Sequence, residues 1–169
     1  MATGSSAQAS PAHAEVVIER VFDAPRELVW RAWTEPEHFM RWYGPAGMMT
    51  IVCDVDLRVG GRRLIGMRSP DGQEYHTTGV YRELVPPHRF VATESPADTD
   101  GNALTPSAYG MPEGMAMETI VTVTLEDLDG GRTRMTLRQA GFPSDDWAQG
   151  AGRGWHQALD KLVAVLAAV

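Results

Sequence analysis

The pattern of apolar and polar positions predicts a strand at the start of the folded chain and two helices after it. The stretch EVVIERVF, residues 15–22, is rich in β-branched residues and partly alternates, which favours a strand. DAPRELVWRAW and TEPEHFMRWYGP then change to a helical period, with Asp23 and Thr34 as candidate caps and a proline in each first turn. We therefore predict two short helices after the first strand.

The middle of the chain follows a period of two and is divided by turn residues. MTIVCDVDLRV, RRLIGMRS, EYHTTGVYRELV and RFVATES are strand-like and are separated by the turn signals GG, PDG and PP. After a long link, METIVTVTLEDL and RTRMTLRQA form a further hairpin around DGG. Val121, Val123 and Leu125 share one face, so we expect a meander of antiparallel strands with one apolar side.

The end of the chain returns to the helical period. In GRGWHQALDKLVAVLAAV, one stripe contains Trp155, Leu159, Leu162, Val163 and Leu166. The glycine-rich run GAGRG, residues 150–154, is interpreted as a flexible entry to this helix. Helices at the ends of an antiparallel run predict an α+β domain in which the long helix covers the apolar face of the sheet.

Length and composition narrow the class of protein. The chain has 169 residues, and we predict a disordered tail over residues 1–14 and a single domain over 15–169. Acidic residues outnumber basic ones 22 to 15, which argues against a nucleic-acid surface. The chain shows neither a secretory signal nor an apolar run long enough for a bilayer, and its single Cys53 suits a reducing compartment. A cytoplasmic protein without a membrane partner is expected.

Five strings in order resemble a known family. They are RVFDAPRELVWRAWTEPEHFMRWYGP, DLRVGGRRLIGM, DGQEYHTTGVYRELVPPHRF, VTVTLEDLDGGRTRMTLRQAGFP and GWHQALDKLVAVL. They resemble bacterial proteins related to the C-terminal domain of the activator of heat-shock protein 90 ATPase, in the START-like (SRPBCC) helix-grip superfamily. The insertion DGNALTPSAYGMPE is similar to one in the branch related to the calicheamicin self-sacrifice resistance protein.

The resemblance covers Val16 to the C-terminus and has clear implications for the fold. It implies a curved antiparallel sheet that grips the long C-terminal helix, with a cavity between sheet and helix. Family function is diverse, and fold alone does not choose among binding, catalysis and chaperone regulation.

Aromatic and methionine side chains supply the candidate ligand contacts. Aromatics around the two short helices either plug one end of the core or line the mouth of a cavity. Methionine adapts its shape to irregular apolar ligands. The candidate ligand-binding residues are Trp30, Trp33, Met67, Tyr75, Thr77, Tyr81, Tyr109, Met111, Met115, Met117, Val121, Trp155 and Leu159.

The long link from Ser95 to Glu118 fits neither a helix nor a strand. Its first half is rich in turn residues, whereas AYGMPEGMAM is apolar enough to fold over a cavity mouth. We expect Tyr109, Met111 and Met115 to contact the domain, and residues 98–102 to be exposed and mobile.

The motifs that accompany common catalytic chemistries are absent from the sequence. There is no GxSxG, Walker loop or GxGxxG, and the five histidines have no metal-ligand spacing, so neither a metal nor a cofactor is implied. The leading hypothesis is a binder of a small hydrophobic molecule, either aromatic, lipid or polyketide-like, with stress response or resistance as the setting.

Two other hypotheses stay open. One is a cyclase or hydrolase that uses a cavity tyrosine or histidine, which would be favoured if His76, Glu118 or His156 lay in the cavity. The other is an interaction module for a chaperone, which the family name implies. The pattern does not decide between a monomer and a homodimer.

Overall fold

The computed structural model describes residues 14–109 and 117–169. Over these residues the order is one strand, two short helices, six strands and a long helix. The strands are β1 Ala14–Phe22, β2 Met49–Val55, β3 Arg62–Arg68, β4 Glu74–Val85, β5 Arg89–Ala97, β6 Thr119–Leu128 and β7 Arg132–Phe142; the α-helices are α1 Arg26–Thr34, α2 Pro36–Phe39 and α3 Asp145–Ala167; a 3₁₀ turn covers Ser107–Tyr109.

The strands form one antiparallel sheet in the order β1-β7-β6-β5-β4-β3-β2. Every neighbour in this order is also a neighbour along the chain except β1 and β7, which pair and bring the two ends of the domain together. The sheet packs around α3, so the predicted α+β helix-grip fold is confirmed. At Gly79 of β4 an added Cβ would overlap the carbonyl oxygen of Thr93 on β5, so only glycine fits there.

The core lies between the inner face of the sheet and α3. Val121, Val123 and Leu125 of β6 are buried on this face, as predicted, and α3 contributes Leu159 and Leu162, which are also buried. Because successive strand residues point to opposite faces, the inner face is a regular row of apolar side chains. This row holds the long helix against the sheet.

An aromatic cluster closes one end of the core. The rings of Trp33 and Trp42 meet edge to face with centroids 4.7 Å apart, and Trp33 also contacts Phe90 at 5.7 Å. Trp42 is held by its indole N–H, which donates to the carbonyl oxygen of Ala32 at 2.9 Å. Trp33 and Trp42 therefore close one end of the core, which is the first of the two alternatives given for the aromatic residues, and they do not line the mouth of a cavity.

The last helix begins earlier than the pattern predicts. Ser144 caps it by accepting a hydrogen bond from the backbone N–H of Trp147 at 3.4 Å, and Asp145 and Asp146 occupy the first turn. Acidic residues are favourable there because the N-terminus of a helix carries partial positive charge. The run GAGRG therefore lies inside α3, and its interpretation as a flexible entry was wrong.

The caps of the two short helices also differ from the prediction. Pro25 and Glu35 are the N-cap residues of α1 and α2, in place of Asp23 and Thr34. The hydroxyl of Thr34 donates instead to the carbonyl oxygen of Trp30 at 2.8 Å, so it completes α1. In the described ranges, no helix is both long and apolar enough to cross a membrane.

Candidate ligand cavity

A cavity of about 570 Å³ lies beside the N-terminal half of α3. Its size falls within the range of small-molecule sites. The wall is formed by the loop after α2, by strands β3, β5 and β7, and by one face of α3. The lining residues are Tyr43, Gly44, Pro45, Met67, Glu94, Gln139, Phe142, Asp146, Trp147, Gly150, Ala151, Gly154, Trp155 and Ala158.

Small residues on α3 make room for the cavity. Gly150, Gly154 and Ala158 are spaced by four, so they lie on the same face of the helix, and all three line the cavity. A Cβ added at Gly154 would lie 3.2 Å from Cγ of Pro45, which shows how closely the loop approaches the helix. Larger side chains on this face would fill the space.

A chain of hydrogen bonds fixes the polar wall. The indole N–H of Trp155 donates to Oε1 of Gln139 at 2.7 Å, and Nε2 of Gln139 donates to the hydroxyl of Thr119 at 2.9 Å. Thr119 in turn donates to the backbone carbonyl of Glu94 at 3.3 Å. Both ends of the Gln139 amide are therefore engaged, and its orientation is set by its partners.

Glu94 places a carboxyl group in the cavity wall. The hydroxyl of Tyr43 donates to Oε1 of Glu94 at 3.4 Å. Burial raises the pKa of Glu94, although the nearby Arg63 and the Tyr43 hydrogen bond oppose this shift. Burial, reinforced by the charge of Glu94, also raises the pKa of Tyr43 well above its usual value. The two groups are neighbouring ionisable side chains in the cavity wall.

Arg63 is the buried cation next to this pair. Its side chain does not line the cavity, and the residue is only 4% exposed. The guanidinium carbon lies 5.5 Å from the ring centre of Tyr81 and 5.9 Å from that of Phe90, within the range of cation–π contacts. Its Nε atom is buried without a hydrogen-bond partner among the described atoms. Glu94 and Arg63 therefore compensate each other electrostatically inside the domain.

The loop at the edge of the cavity is tied to α3. The backbone N–H of Ala46 donates to Oε1 of Gln157 at 3.0 Å. Nζ of Lys161 donates to the carbonyl oxygens of Pro45 and Met48 at 3.3 and 3.4 Å. These bonds hold the loop against the helix and fix the width of the cavity on this side.

The cavity opens to solvent near the start of α3. Trp147 is 39% exposed there, and Asp146 and Gly150 are exposed as well. On the opposite side, a Cβ added at Gly44 would lie 2.9 Å from the sulfur of Met67. The deep wall is thus closely packed, while the mouth combines an aromatic ring with a carboxylate.

The structure brings two of the predicted ligand contacts into the cavity wall, Met67 and Trp155. The others lie elsewhere, or outside the described residues. Buried in the core but not in the wall are Trp30, Trp33, Tyr81, Val121 and Leu159. Tyr75 is 40% exposed, Thr77 and Met117 are half-buried, and none of these three lines the cavity. Met111, Met115 and the side chain of Tyr109 lie outside the described part of the chain.

Sequence reasoning missed Tyr43, Glu94 and Gln139 as cavity residues. Two of them had a usable signal, because strand alternation places them on buried faces. Glu94 continues the inward row of Phe90 and Ala92 on β5, both of which are buried. Gln139 likewise continues an inward row on β7.

None of the three residues named as catalytic candidates lines the cavity. His76 is buried, but it alternates with the inner-face positions of β4 and packs over Gly66 on the outer face. Glu118 forms an exposed ion pair with Arg82 at 3.4 Å. His156 is exposed and its Nδ1 lies 3.3 Å from a guanidinium nitrogen of Arg20.

The first three residues of the long link, 95–97, belong to strand β5, so the prediction that the link contains no strand was wrong there, and an ordered turn follows. The carboxylate of Asp98 accepts hydrogen bonds from the backbone N–H groups of Asp100 and Asn102, both at 2.9 Å. Asp100 and Asn102 are exposed, as expected, while Asp98 is half-buried. A guanidinium nitrogen of Arg62 donates to the carbonyl oxygen of Asp100 at 3.0 Å. Arg62 alternates with the inward Arg63, so this turn lies against the outer face.

Comparison with known proteins identifies the family. The model of the family "Activator of Hsp90 ATPase homolog 1-like protein" matches residues 23–167. A match over this much of the chain shows the family, and the resemblance drawn from the five strings is confirmed. The search of curated proteins gives no match.

Solved structures show the same fold. Protein CV1439 from Chromobacterium violaceum is 29% identical with a TM-score of 0.75, covering 90% of this chain and 96% of its own. Ms6760 from Mycobacterium smegmatis is 27% identical with a TM-score of 0.73, covering 90% of each chain. CalU16 from Micromonospora echinospora is 24% identical with a TM-score of 0.63, covering 90% of this chain and 75% of its own, and shares the fold.

Proposed function

We propose that the chain, which belongs to the family of Activator of Hsp90 ATPase homolog 1-like proteins, binds a small and largely apolar molecule in the cavity beside α3. The observation that carries this proposal is the cavity itself. It has the volume of a small-molecule site, and its wall is mainly apolar with a few fixed polar groups. An aromatic or polyketide-like molecule suits it, because Trp147 and Trp155 provide flat surfaces in the wall.

The polar wall supports a binding site that is organised before the ligand arrives. Gln139 is held from both sides by Trp155 and Thr119, and Lys161 and Gln157 hold the loop at the edge. Groups that are already fixed lose little conformational entropy on binding, which favours affinity. A cavity that had to form on binding would lack these bonds.

Tryptophan fluorescence tests the proposal directly, because Trp147 and Trp155 lie in the wall. The protein is titrated with a panel of polycyclic aromatics, flavonoids and fatty alcohols. We expect a saturable change in emission with at least one class. A panel without any saturable response, checked by calorimetry, would refute ligand binding in this cavity.

A pair of neighbouring substitutions shows whether the response comes from the cavity. Gly150→Leu adds a side chain at a lining position where a Cβ has room. Gln149→Leu adds the same side chain at the preceding exposed position, which does not line the cavity. We expect the first change to weaken binding about tenfold or more and the second to leave it unchanged.

Proton transfer is a second candidate function, favoured by one observation. Glu94 has a raised pKa and lies in the wall beside a tyrosine hydroxyl, an arrangement typical of acid–base sites. This function would make the molecule that binds a substrate. The test is turnover of each bound compound, followed by product analysis: Glu94→Gln should abolish conversion, and identical conversion by this variant would exclude Glu94 as the acid or base.

A further inference from the structure

The charges of the cavity wall are all of one sign. Glu94 in the deep wall and Asp146 at the mouth are carboxylates. Among the described lining residues there is no lysine, arginine or histidine. An anionic ligand would therefore meet like charge, without a cationic side chain in the wall to pair with.

Glu94 has unused capacity to accept hydrogen bonds. An ionised carboxylate has about four lone-pair sites. Among the described residues, the side chain of Glu94 accepts one hydrogen bond, from Tyr43, and at 3.4 Å this bond is long. The other polar groups of the deep wall are more fully used, because Gln139 is engaged at both its oxygen and its nitrogen.

Arg63 is the nearby group that favours the charged form of Glu94 against the effect of burial. The guanidinium is always protonated and is buried next to the inner face. Its charge opposes the pKa increase that burial causes at Glu94. Because Arg63 does not line the cavity, it supports the carboxylate and does not offer itself to a ligand.

We propose that Glu94 is the polar anchor of the cavity and selects ligands that present a hydroxyl or amine hydrogen-bond donor, while carboxylate ligands such as fatty acids are rejected. This inference rests on the proposed function and specifies its ligand class. The donor lies at one end of an otherwise apolar molecule, since Phe142, Met67 and Trp155 form the wall around it. The O–H or N–H group of the ligand donates a hydrogen bond to a Glu94 oxygen lone pair that Tyr43 does not use.

A matched series of probes tests the selection. Anthracene, 2-hydroxyanthracene, 2-aminoanthracene and anthracene-2-carboxylate share one ring system and differ in a single group. Dissociation constants are measured for the unmodified protein at neutral pH by calorimetry, with quenching of tryptophan emission as a second readout. We expect the dissociation constants of the hydroxyl and amino probes to be lower than that of anthracene by a factor of about ten or more. The carboxylate should bind most weakly.

Two different failures are distinguishable in this series. If none of the four probes binds, ligand binding in the cavity is contradicted for this ring system and the inference falls with it. If all four bind with similar affinity, or if the carboxylate binds best, ligand binding stands and the role of Glu94 is overturned.

The substitution Glu94→Gln removes the charge and keeps the size of the side chain. We expect it to reduce the advantage of the donor probes over anthracene and to strengthen binding of the carboxylate. Glu118→Gln is the control, because Glu118 is exposed and lies outside the wall. Unchanged probe preferences in a folded Glu94→Gln protein would overturn the proposal; the series on the unmodified protein decides it independently if that variant does not fold.

Discussion

The two halves of α3 have the same helical backbone, but they differ in the size of the side chains on their inward face. From Leu159 onward the helix presents large apolar side chains to the sheet, and Leu159 and Leu162 are fully buried. Before that point, the inward face carries Gly150 and Gly154 and borders the cavity. We refer to these as the packed half, residues 159–167, and the cavity half, residues 145–158. The difference is one of side-chain volume, since the backbone is helical throughout.

This difference shows how a fold can reserve space without weakening its core. Leucine in the packed half holds the helix to the sheet, so glycine can be accepted in the cavity half. The cavity half is held instead by directed contacts, including the Trp155 bond to Gln139 and the Gln157 bond to the loop. Stability and ligand access are therefore assigned to different turns of one element.

The largest expected effect lies in the packed half. Leu162→Ala removes a fully buried side chain and should lower the free energy of unfolding by about 2–5 kcal/mol. Val163→Ala at the next position is the control: Val163 is 47% exposed, and its change should stay within about 0.5 kcal/mol. Chemical denaturation measures both. Equal losses would mean that the inward face of the packed half does not hold the helix to the sheet as described.

A smaller effect is expected where the cavity half is held by a hydrogen bond. Trp155→Phe removes the donor to Gln139 and leaves the amide oxygen buried without it, so we expect a loss of about 1–3 kcal/mol. The double variant with Gln139→Leu should recover part of this loss, because both polar partners are then gone. A double-mutant cycle in denaturant measures the coupling, and additive losses would argue against it.

Alanine substitutions at the glycines of the cavity half are expected to stabilise the protein slightly, in contrast to the losses predicted above. Gly150→Ala and Gly152→Ala should each stabilise the protein by about 1 kcal/mol, because alanine favours the helix and both positions have room. Gly154→Ala should gain less, since its Cβ would lie 3.2 Å from Pro45. Thermal and chemical denaturation of the three variants checks this order; a stabilising Gly154→Ala as large as the others would show that the loop yields.

The pH dependence of stability gives the most subtle test. Burial raises the pKa of Glu94 above its ordinary value of 4.5, so the folded state holds its proton after the unfolded state has released it. Stability contributed by this group therefore falls as pH rises from 4.5 toward the raised pKa. The difference in unfolding free energy between the protein and Glu94→Gln should fall over that interval. A difference that rises with pH would mean that Arg63 outweighs burial.

Most of the fold was accessible from the sequence because its signals are local. Alternation and turn residues placed all seven strands, and β4 was predicted with the bounds that the structure gives. The start of α3 was missed because three glycines lower helix propensity over residues 150–154, even though Ser144 and two aspartates mark an N-terminus. The capping signal at Ser144 is therefore a better guide to the start of α3 than helix propensity is.

The cavity was harder to predict from the sequence because its wall is formed by segments that are distant along the chain. Tyr43, Arg63 and Glu94 come from three separate elements, and their interaction depends on how the sheet curves around the helix. A search for aromatic and methionine side chains found Met67 and Trp155. Large apolar residues are also what a core needs, so the core residues Trp33 and Leu159 could not be distinguished from ligand contacts by residue type alone. The position of Glu94 on the inward row of β5, after Phe90 and Ala92, is the sequence signal that identifies it as a cavity residue.

The turn that follows β5, residues 98–102, offers an attachment point. It is ordered by Asp98 and tied by Arg62 to the outer face, so a probe there leaves the mouth of the cavity free. Thr99 is exposed at its tip, and the chain's single thiol, Cys53, has its pKa raised to about 11 by burial. At neutral pH that thiol stays protonated and reacts slowly. A Thr99→Cys protein can thus be labelled or immobilised at one defined point while Cys53 remains unmodified.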